Sequence, residues 1–437
     1  MTATAHSAFD LAVSTTPLRR PLRVALLGFG TVGLSVARIL AERPELSGRV
    51  QLTHVYNRSV SRKRADWVSG PVTWTEDLDD IFASAPDVVV EVMGGVDPAY
   101  TVVTKAMEQG ASVVTANKML LAAHGPELLA LASRRGVQLR FEAAVAGGVP
   151  LIHGVREGLA GDQLTGVAGI LNGTCNYILS RMSATEEGME LVLADAQRLG
   201  YAEADPTADV DGHDAAAKLV VLAGIAFKRF IRSDAIPKGS IRPISSADFR
   251  YARRLDATIR QISQVQARDD GFYAFVGPVL VPMQSSFGRN QGANNVVSIY
   301  GRYGGESAFS GAGAGGPATA VAVISDLLAL TTRTPHGTEE WQTGDVVAPP
   351  ARPYYLRFVV KDRPGILATI AAALANQGVN LDAVLQEPGY PKDALPFVIT
   401  VESCEEAALR VALDEISAAD WHAEPPLALP MLLPSAS

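Results

Sequence analysis

The spacing of apolar positions changes period along the chain, and each change marks an element. Leu22 to Leu27 (LRVALL) is a short apolar run that predicts a strand, GFGTVG follows as a glycine turn, and Leu34 to Leu40 carries helical spacing. Further strands are predicted at Val50 to Tyr56 (VQLTHVY), Asp87 to Val92 (DVVVEV), Ser112 to Thr115 and Gln138 to Phe141. Repeated units of a strand with a polar or glycine end predict a parallel sheet with ligands at the strands' carboxyl ends. Beyond it, Gly166 to Ile178 reads as strand, turn and helix. Phe272 to Val281 and Asn295 to Tyr300 suggest an antiparallel or mixed sheet covered by helices. GAGAGG (311 to 316) precedes an apolar helix from Ala318 to Leu330. From Arg333 to Pro353 the periodicity is lost and prolines stand at 335, 349, 350 and 353, the composition of a linker. After Tyr354 the order is strand, turn, helix, strand, strand, helix. With a short closing strand after Trp421 that is a ferredoxin-like unit, its first helix opened by Gly365 and ended by Gly378.

The stretch Glu203 to Lys218 (EADPTADVDGHDAAAK) stands out against this pattern. It holds the acids Glu203, Asp205, Asp209, Asp211 and Asp214 beside His213 and Lys218. Pro206 stops any helix before it, and Asp211 can cap a new one by accepting the N–H of Asp214, so a helix is expected from near Gly212. Lys218 then follows Asp214 on the same face, on a helix that Leu219 to Leu222 and Ile225 to Phe227 make apolar nearly all round. A buried lysine beside an aspartate is either a paired structural charge or a proton-transfer group, since desolvation lowers a lysine's pKa toward the useful range. Neighbouring carboxylates would suit a substrate ammonium group.

With 437 residues the chain has room for two or three cores, and its 48 % hydrophobic and 19 % charged residues are those of a soluble globular protein. A net charge of −8 without a basic block argues against a nucleic-acid partner. Cys175 and Cys404 are the only cysteines, without disulfide or metal-ligand spacing, which points to a reducing, cytoplasmic compartment. Cys175 reads as a small packing residue. No secretory h-region and no run of about 18 apolar residues occurs, so no membrane association is expected.

GFGTVG has the strand and helix flanks of a dinucleotide site, placing Gly28, Phe29, Gly30, Thr31, Val32 and Gly33 at a pyrophosphate. The second strand ends in Asn57 and Arg58 with no carboxylate for ribose hydroxyls. Arg58, helped by Arg62 or Lys63, could hold a 2′-phosphate, so NADP is expected over NAD; the alternative is a solvated basic loop. Gly94, Thr115, Asn117 and Lys118 fall at strand ends near the cofactor, Lys118 as a working charge or a surface lysine. Gly315 in GAGAGG either lets the backbone approach the cofactor or joins domains. EAAVAGGVP, from Glu142, offers either a carboxylate with converging carbonyls for a hard cation or a flexible crossover.

These blocks together resemble homoserine dehydrogenase of the bacterial type with a C-terminal ACT domain. The most specific is Ala196, Gly200, Tyr201, Glu203, Asp205, Pro206, Asp209, Gly212, Asp214 and Lys218; TANK (115 to 118), EAAVAGGVP, GILNGTCNYI, GAGAGG and DRPG (362 to 365) accompany it in order. Residues 1–20 lie outside the family pattern and read as a mobile tail. The resemblance implies an α/β chain: a Rossmann-type domain over 21–145 completed by helix 318–332, a mixed α+β catalytic and dimerisation domain over 146–317, a linker over 333–352 and a ferredoxin-like ACT domain over 353–425. It implies reversible NAD(P)-dependent interconversion of L-homoserine and L-aspartate 4-semialdehyde, a step of threonine, methionine and isoleucine biosynthesis. By it Lys218 is the proton donor, Asp214 orients it, and Lys118 lies by both cofactor and substrate. Glu203 and Asp209 hold the ammonium group, and Tyr201 and Thr174 line the pocket. It also implies that Glu142 with the carbonyls of Val145, Gly147 and Val149 binds sodium or potassium, that L-threonine acts at the ACT domain, and that the chain forms a homodimer or homotetramer. A different class, an amino-acid sensor on the same scaffold, need not keep both lysines; a dehydrogenase of another amino acid would not need the whole acidic loop.

Overall fold

The computed structural model describes residues 20–68, 70–332 and 340–432. The tail expected over 1–20 lies outside them apart from Arg20, which pairs with Asp87 (Nη2 to Oδ1 2.8 Å). Six parallel strands form the first sheet in the order Thr73–Thr75, Val50–Tyr56, Leu22–Leu27, Val88–Glu91, Ser112–Thr115, Leu139–Arg140. Leu22–Leu27 and Val88–Glu91 are neighbours there, so the order reverses between them and opens a crevice at their carboxyl ends. Val88–Glu91 is buried at every position, as a strand covered by helices on both faces must be. The helix Gly316–Leu330 returns from the second domain to cover this sheet, packing against Thr31–Glu42 through Ala320, Val323 and Leu327.

The second sheet has five antiparallel strands in the order Gly271–Pro282, Ala257–Arg268, Leu164–Ile170, Asn294–Gly301, Gly305–Ala312. Two of these go beyond the sequence pattern. Ala257–Arg268 conceals its period because Arg260, Gln261 and Ser263 are buried, Arg260 donating to the carbonyls of Ile259, Gly288 and Asn290. In GAGAGG, Gly311 and Ala312 still belong to the strand Gly305–Ala312, and only the next glycines make the turn.

The C-terminal unit is ferredoxin-like: strands in the order Leu381–Gln386, Leu395–Cys404, Arg352–Val360, His422–Pro430, with helices Ile366–Asn376 and Glu406–Ser417. The closing strand, only weakly signalled in sequence, is a full edge strand. Phe358, Ile370, Leu374, Ile399 and Ile416 fill the space between this sheet and its two helices. The other face meets the catalytic domain: Tyr355, Val398 and Leu429 join Ile178, Met182, Phe249 and Tyr251 in one core. At its centre Asp248, fully buried, accepts from Tyr355 Oη at 2.9 Å, pairs with Arg357, and closes a capping box with Ser245. Of the expected linker, 333–339 lie outside the described residues. The rest is tied to the second domain: Trp341 is buried, and Gln342–Thr343, itself exposed, pairs in parallel with Arg229–Phe230.

Replacing Asp248 by Ala leaves the Arg357 guanidinium buried without its main counter-charge. The expected loss is about 3 kcal/mol or more of stability, read as a lowered midpoint in thermal or urea unfolding; an unchanged midpoint would show that the two domains do not depend on this pair.

Candidate active site

The glycine turn has the geometry its spacing predicts. Gly28 has φ +102°, and a Cβ there would lie 2.7 Å from the carbonyl oxygen of Val92; one on Gly33 would lie 2.0 Å from the oxygen of Gly28. Neither position admits a side chain, whereas a Cβ on Gly30 meets nothing within 4 Å. Gly30 caps the helix Thr31–Glu42, so its open side faces a helix N-terminus, a setting that accepts a diphosphate. Phe29 is buried against Trp74 and fixes the turn from behind, while Val32 packs on the same core. Gly94, with φ +77°, stands beside open space at the end of Val88–Glu91. Thr115 does not offer its hydroxyl outward: fully buried, it donates to Glu91 Oε2 at 2.6 Å and accepts from Asn117 N at 3.0 Å. Glu91, absent from the sequence reading, also accepts from Met93 N at 2.8 Å and so orders both strand ends. Arg58 is exposed after Val50–Tyr56, and Arg62 donates to Ser59 Oγ. Gly315 caps the helix Gly316–Leu330, with open space at its Cα.

Asn117 caps the helix Lys118–Arg135 by accepting from Leu120 N, which sets Lys118 as its first residue, at the carboxyl end of the parallel sheet. From there Lys118 Nζ reaches Asp214 Oδ1 at 3.0 Å, and the other oxygen, Oδ2, takes Lys218 Nζ at 2.7 Å. Lys218 Nζ also donates to the carbonyl of Leu171 at 2.8 Å. One carboxylate thus bridges two ammonium groups from different domains. Side-chain exposures of 13 % for Asp214 and 12 % for Lys218, against 35 % for Lys118, put the pair under cover with Lys118 toward the opening. Burial pushes the Asp214 carboxyl up, but the charges of Lys218 and Lys118 and the hydrogen bonds from Lys218 and Asn172 outweigh it and hold the group well below the usual carboxylate range.

The helix carrying Lys218, His213–Phe227, begins where the sequence suggests but without the expected Asp211 cap. Gly212 precedes it with φ +82° and there is no side-chain cap. Asp211 instead accepts from Ser240 Oγ at 2.6 Å and Arg242 Nε at 3.3 Å, because the left-handed Gly212 turns the chain between it and the helix. Asn172 does what Asp211 was expected to do, at another helix: it caps Gly173–Thr185 by accepting from Cys175 N at 2.8 Å. Its amide group donates to Asp209 Oδ1 at 2.6 Å and to Asp214 Oδ2 at 2.9 Å. Burial raises the Asp209 carboxyl, countered in part by that hydrogen bond. Asn before Gly-Thr is a cap signal that could have been read in sequence; its reach to two distant carboxylates could not. Burial likewise pushes the Cys175 thiol well above its ordinary range, so it packs rather than reacts.

Of the two remaining acids of the loop, both exposed, Asp205 accepts from Thr207 N at 3.1 Å, and Glu203 does not join this network. The loop around it is pinned: Thr174 Oγ1 donates to Tyr201 O at 2.6 Å, Gln197 Nε2 donates to Glu203 O at 3.0 Å, and the Tyr201 ring stacks on Tyr177 with centroids 4.6 Å apart. Glu142 is 2 % exposed, and its carboxylate accepts from Ile152 N at 2.9 Å and His153 N at 2.8 Å. Burial raises its pKa and these amides oppose the rise. The loop beside it takes positive φ at Ala146 and Gly147, both +56°, and the Val149 carbonyl accepts from Leu151 N at 2.7 Å. Asp326 and His153, unnoticed in sequence, complete this cluster: Asp326 accepts from Glu142 N at 2.8 Å and lies 2.9 Å from His153 Nε2.

A nucleotide crevice faced by a lysine pair on a shared carboxylate defines an NAD(P)-dependent oxidoreductase of the α/β type. Comparison with known proteins makes the class specific. Residues 28–142 match the model of the homoserine dehydrogenase NAD-binding domain, 150–328 that of homoserine dehydrogenase and 354–420 that of the ACT domain. The chain is 37 % identical to the homoserine dehydrogenase of Pseudomonas aeruginosa, over 93 % of this chain and 98 % of that one, and 39 % identical to that of Mycobacterium bovis, over 92 % and 95 %. A homoserine dehydrogenase structure from Thiobacillus denitrificans superposes with a TM-score of 0.87 at 34 % identity, covering 94 % of this chain and 98 % of that one. A hyperthermophilic archaeal homoserine dehydrogenase in complex with NADPH gives 0.63 at 25 % identity, over 72 % and 99 %. The chain belongs to the homoserine dehydrogenase family, and its activity is the NAD(P)-dependent interconversion of L-homoserine and L-aspartate 4-semialdehyde.

Asn172→Ser keeps a helix-capping oxygen but removes the amide donors, while Asn172→Asp keeps the cap and sets a third carboxylate against Asp209 and Asp214. The serine variant is expected to lose roughly tenfold in kcat/KM for homoserine and the aspartate variant roughly a hundredfold; steady-state kinetics giving the two equal, near wild-type values would remove Asn172 from the site.

Proposed function

We propose that Lys218 is the proton donor and acceptor of this reaction, held by Asp214, with Lys118 as the second positive charge facing cofactor and substrate. The observation that carries this reading is the coordination of Lys218: two of its three N–H donors are fixed on Asp214 and Leu171, leaving one for a ligand. NADPH, when bound, supplies the hydride for the aldehyde carbon. As that C–H bond forms, the carbonyl π pair moves onto oxygen, and the Lys218 ammonium meets the growing charge and then gives it a proton, yielding the hydroxyl of homoserine. Oxidation runs the same steps in reverse, with neutral Lys218 taking the hydroxyl proton. Asp214 keeps both nitrogens in place without titrating itself. Asp209, beside the pair, and Glu203, on the pinned loop, hold the substrate ammonium group, and Tyr201 and Thr174 shape the wall there.

The nucleotide is NADP. Supporting this are Arg58 at the end of Val50–Tyr56, the lack of a carboxylate at that point, and the bound NADPH of the archaeal relative. Glu142, with the carbonyls of Val145, Gly147 and Val149, holds sodium or potassium; a buried carboxylate beside a loop of left-handed residues fits a hard cation, though the Val149 carbonyl already serves Leu151. Such an ion would stiffen the passage between the two domains. The ACT match supports an amino-acid effector, L-threonine in this reading, consistent with a role in threonine, methionine and isoleucine biosynthesis. The exposed edge strand Gly305–Ala312 supports a homodimer or homotetramer. Among the described residues no helix is long and apolar enough to cross a membrane, and both cysteines are free, which favours a cytoplasmic site.

Purified protein assayed for homoserine-dependent reduction of NADP and of NAD, with potassium or sodium present, tests the reading together with Lys218→Ala. Preference for NADP, and loss of turnover in the variant by about a thousandfold with NADPH binding kept, are expected. Preference for NAD would discard the role of Arg58, and loss of NADPH binding in the variant would make Lys218 structural.

A further inference from the structure

The helices that carry the two lysines, Lys118–Arg135 and His213–Phe227, are separated at one point by a side chain from outside both. Trp341, 5 % exposed, comes from the segment that leads into the ACT domain. A Cβ added to Gly224 would fall 2.4 Å from its indole Cε2, and one on Gly125 would fall 2.8 Å from Cζ3. Both helices therefore give up a side chain where the indole lies. Phe141, next to Glu142, meets the same ring edge-on, with centroids 6.0 Å apart.

The contact is well placed to act on the lysines. Gly125 stands two turns beyond Lys118, on the same face of its helix, and Pro126 beside it lacks the N–H that would bond the preceding turn. Gly224 lies about 9 Å along its helix from Lys218. The segment bearing Trp341 is itself anchored: Gln342 N donates to Lys228 O, Gly344 N to Phe230 O, and Val347 N to Phe272 O, all between 2.9 and 3.1 Å. Arg352, at the start of the ACT strand, then bonds Tyr273 and lies over its ring.

We propose that Trp341 is a positioning residue for the lysine pair. Wedged between the two helices, it sets their spacing and with it the fit of Lys118 and Lys218 around Asp214. The proposal rests on the reading of those lysines as the working pair.

The test is steady-state turnover of L-homoserine with NADP by Trp341→Phe, Trp341→Ala and Gly224→Ala, with NADPH affinity by fluorescence titration and melting temperature recorded for each. Trp341→Phe, which keeps a ring in the wedge, is expected to stay within about threefold of wild-type kcat. Trp341→Ala and Gly224→Ala are expected to lose tenfold or more in kcat, with NADPH affinity within about twofold, because misplacement of reacting groups by fractions of an ångström is costly. Should Trp341→Ala fail to fold, Gly224→Ala disturbs the same contact from the helix side with an otherwise helix-favouring change. A folded Gly224→Ala or Trp341→Ala with a lower melting temperature and unchanged kcat would overturn the proposal and leave Trp341 as core packing. So would equal losses of kcat and NADPH affinity. Turnover retained by Lys218→Ala would instead overturn the reading of the lysines; an inactive Lys218→Ala beside fully active Trp341 and Gly224 variants would remove only the wedge.

Discussion

One buried carboxylate shared by two ammonium groups holds this structure together where it matters. Asp214 receives Lys118 on one oxygen and Lys218 on the other, at 3.0 and 2.7 Å. Without it the Lys218 ammonium, 12 % exposed, would lie under cover with no counter-charge, and an unpaired buried charge costs several kcal/mol. The bridge also crosses a domain boundary. Lys118 begins a helix of the nucleotide-binding sheet, whereas Asp214 and Lys218 belong to a helix covering the antiparallel sheet. Hydride transfer needs the nucleotide of one domain beside the substrate of the other, so the ion bridge that brings the lysines together also fixes the relation the chemistry requires.

The surrounding polar network supports that bridge from three directions. Asn172 ties Asp214 to Asp209 while capping its own helix. Glu91, Thr115 and Asn117 order the strand ends from which Lys118 springs. The Leu171 carbonyl accepts one hydrogen bond from Lys218 Nζ at 2.8 Å and a second from Asn295 Nδ2 at 3.3 Å. Asn172, Glu91, Thr115, Asn117 and Leu171 are buried and bonded in definite geometry, which is how a polar cluster in a protein interior becomes rigid rather than costly. The ACT domain is fastened in the same manner, with Asp248 and Arg357 buried at its junction with the catalytic domain.

What could be read from sequence was what local geometry enforces. GFGTVG was legible because Gly28 and Gly33 each exclude a side chain by a contact within a few residues or from the neighbouring strand. The Asp214–Lys218 pair followed from helical spacing alone, and the ferredoxin-like order from alternating short runs. Contacts between distant segments stayed hidden. Asn172 meets carboxylates 37 and 42 residues away, and nothing in its own neighbourhood announces them. Ala257–Arg268 did not read as a strand, because its interior side chains are polar and satisfied. Asp211 has the spacing of a cap but does not serve as one, because Gly212 takes a left-handed turn that only the tertiary setting selects. Trp341 sat in a proline-rich stretch whose composition says linker, although its ring is buried between two helices.

The most direct measurement of the shared carboxylate's role is the turnover of Asp214→Asn with L-homoserine and NADP, taken on protein shown to be folded and to bind NADPH. An asparagine keeps the shape but supplies no charge to hold two ammonium groups, so kcat should fall by a factor of about 10² or more with nucleotide affinity little changed. Turnover close to that of the unaltered chain would contradict the claim that Asp214 organises the site.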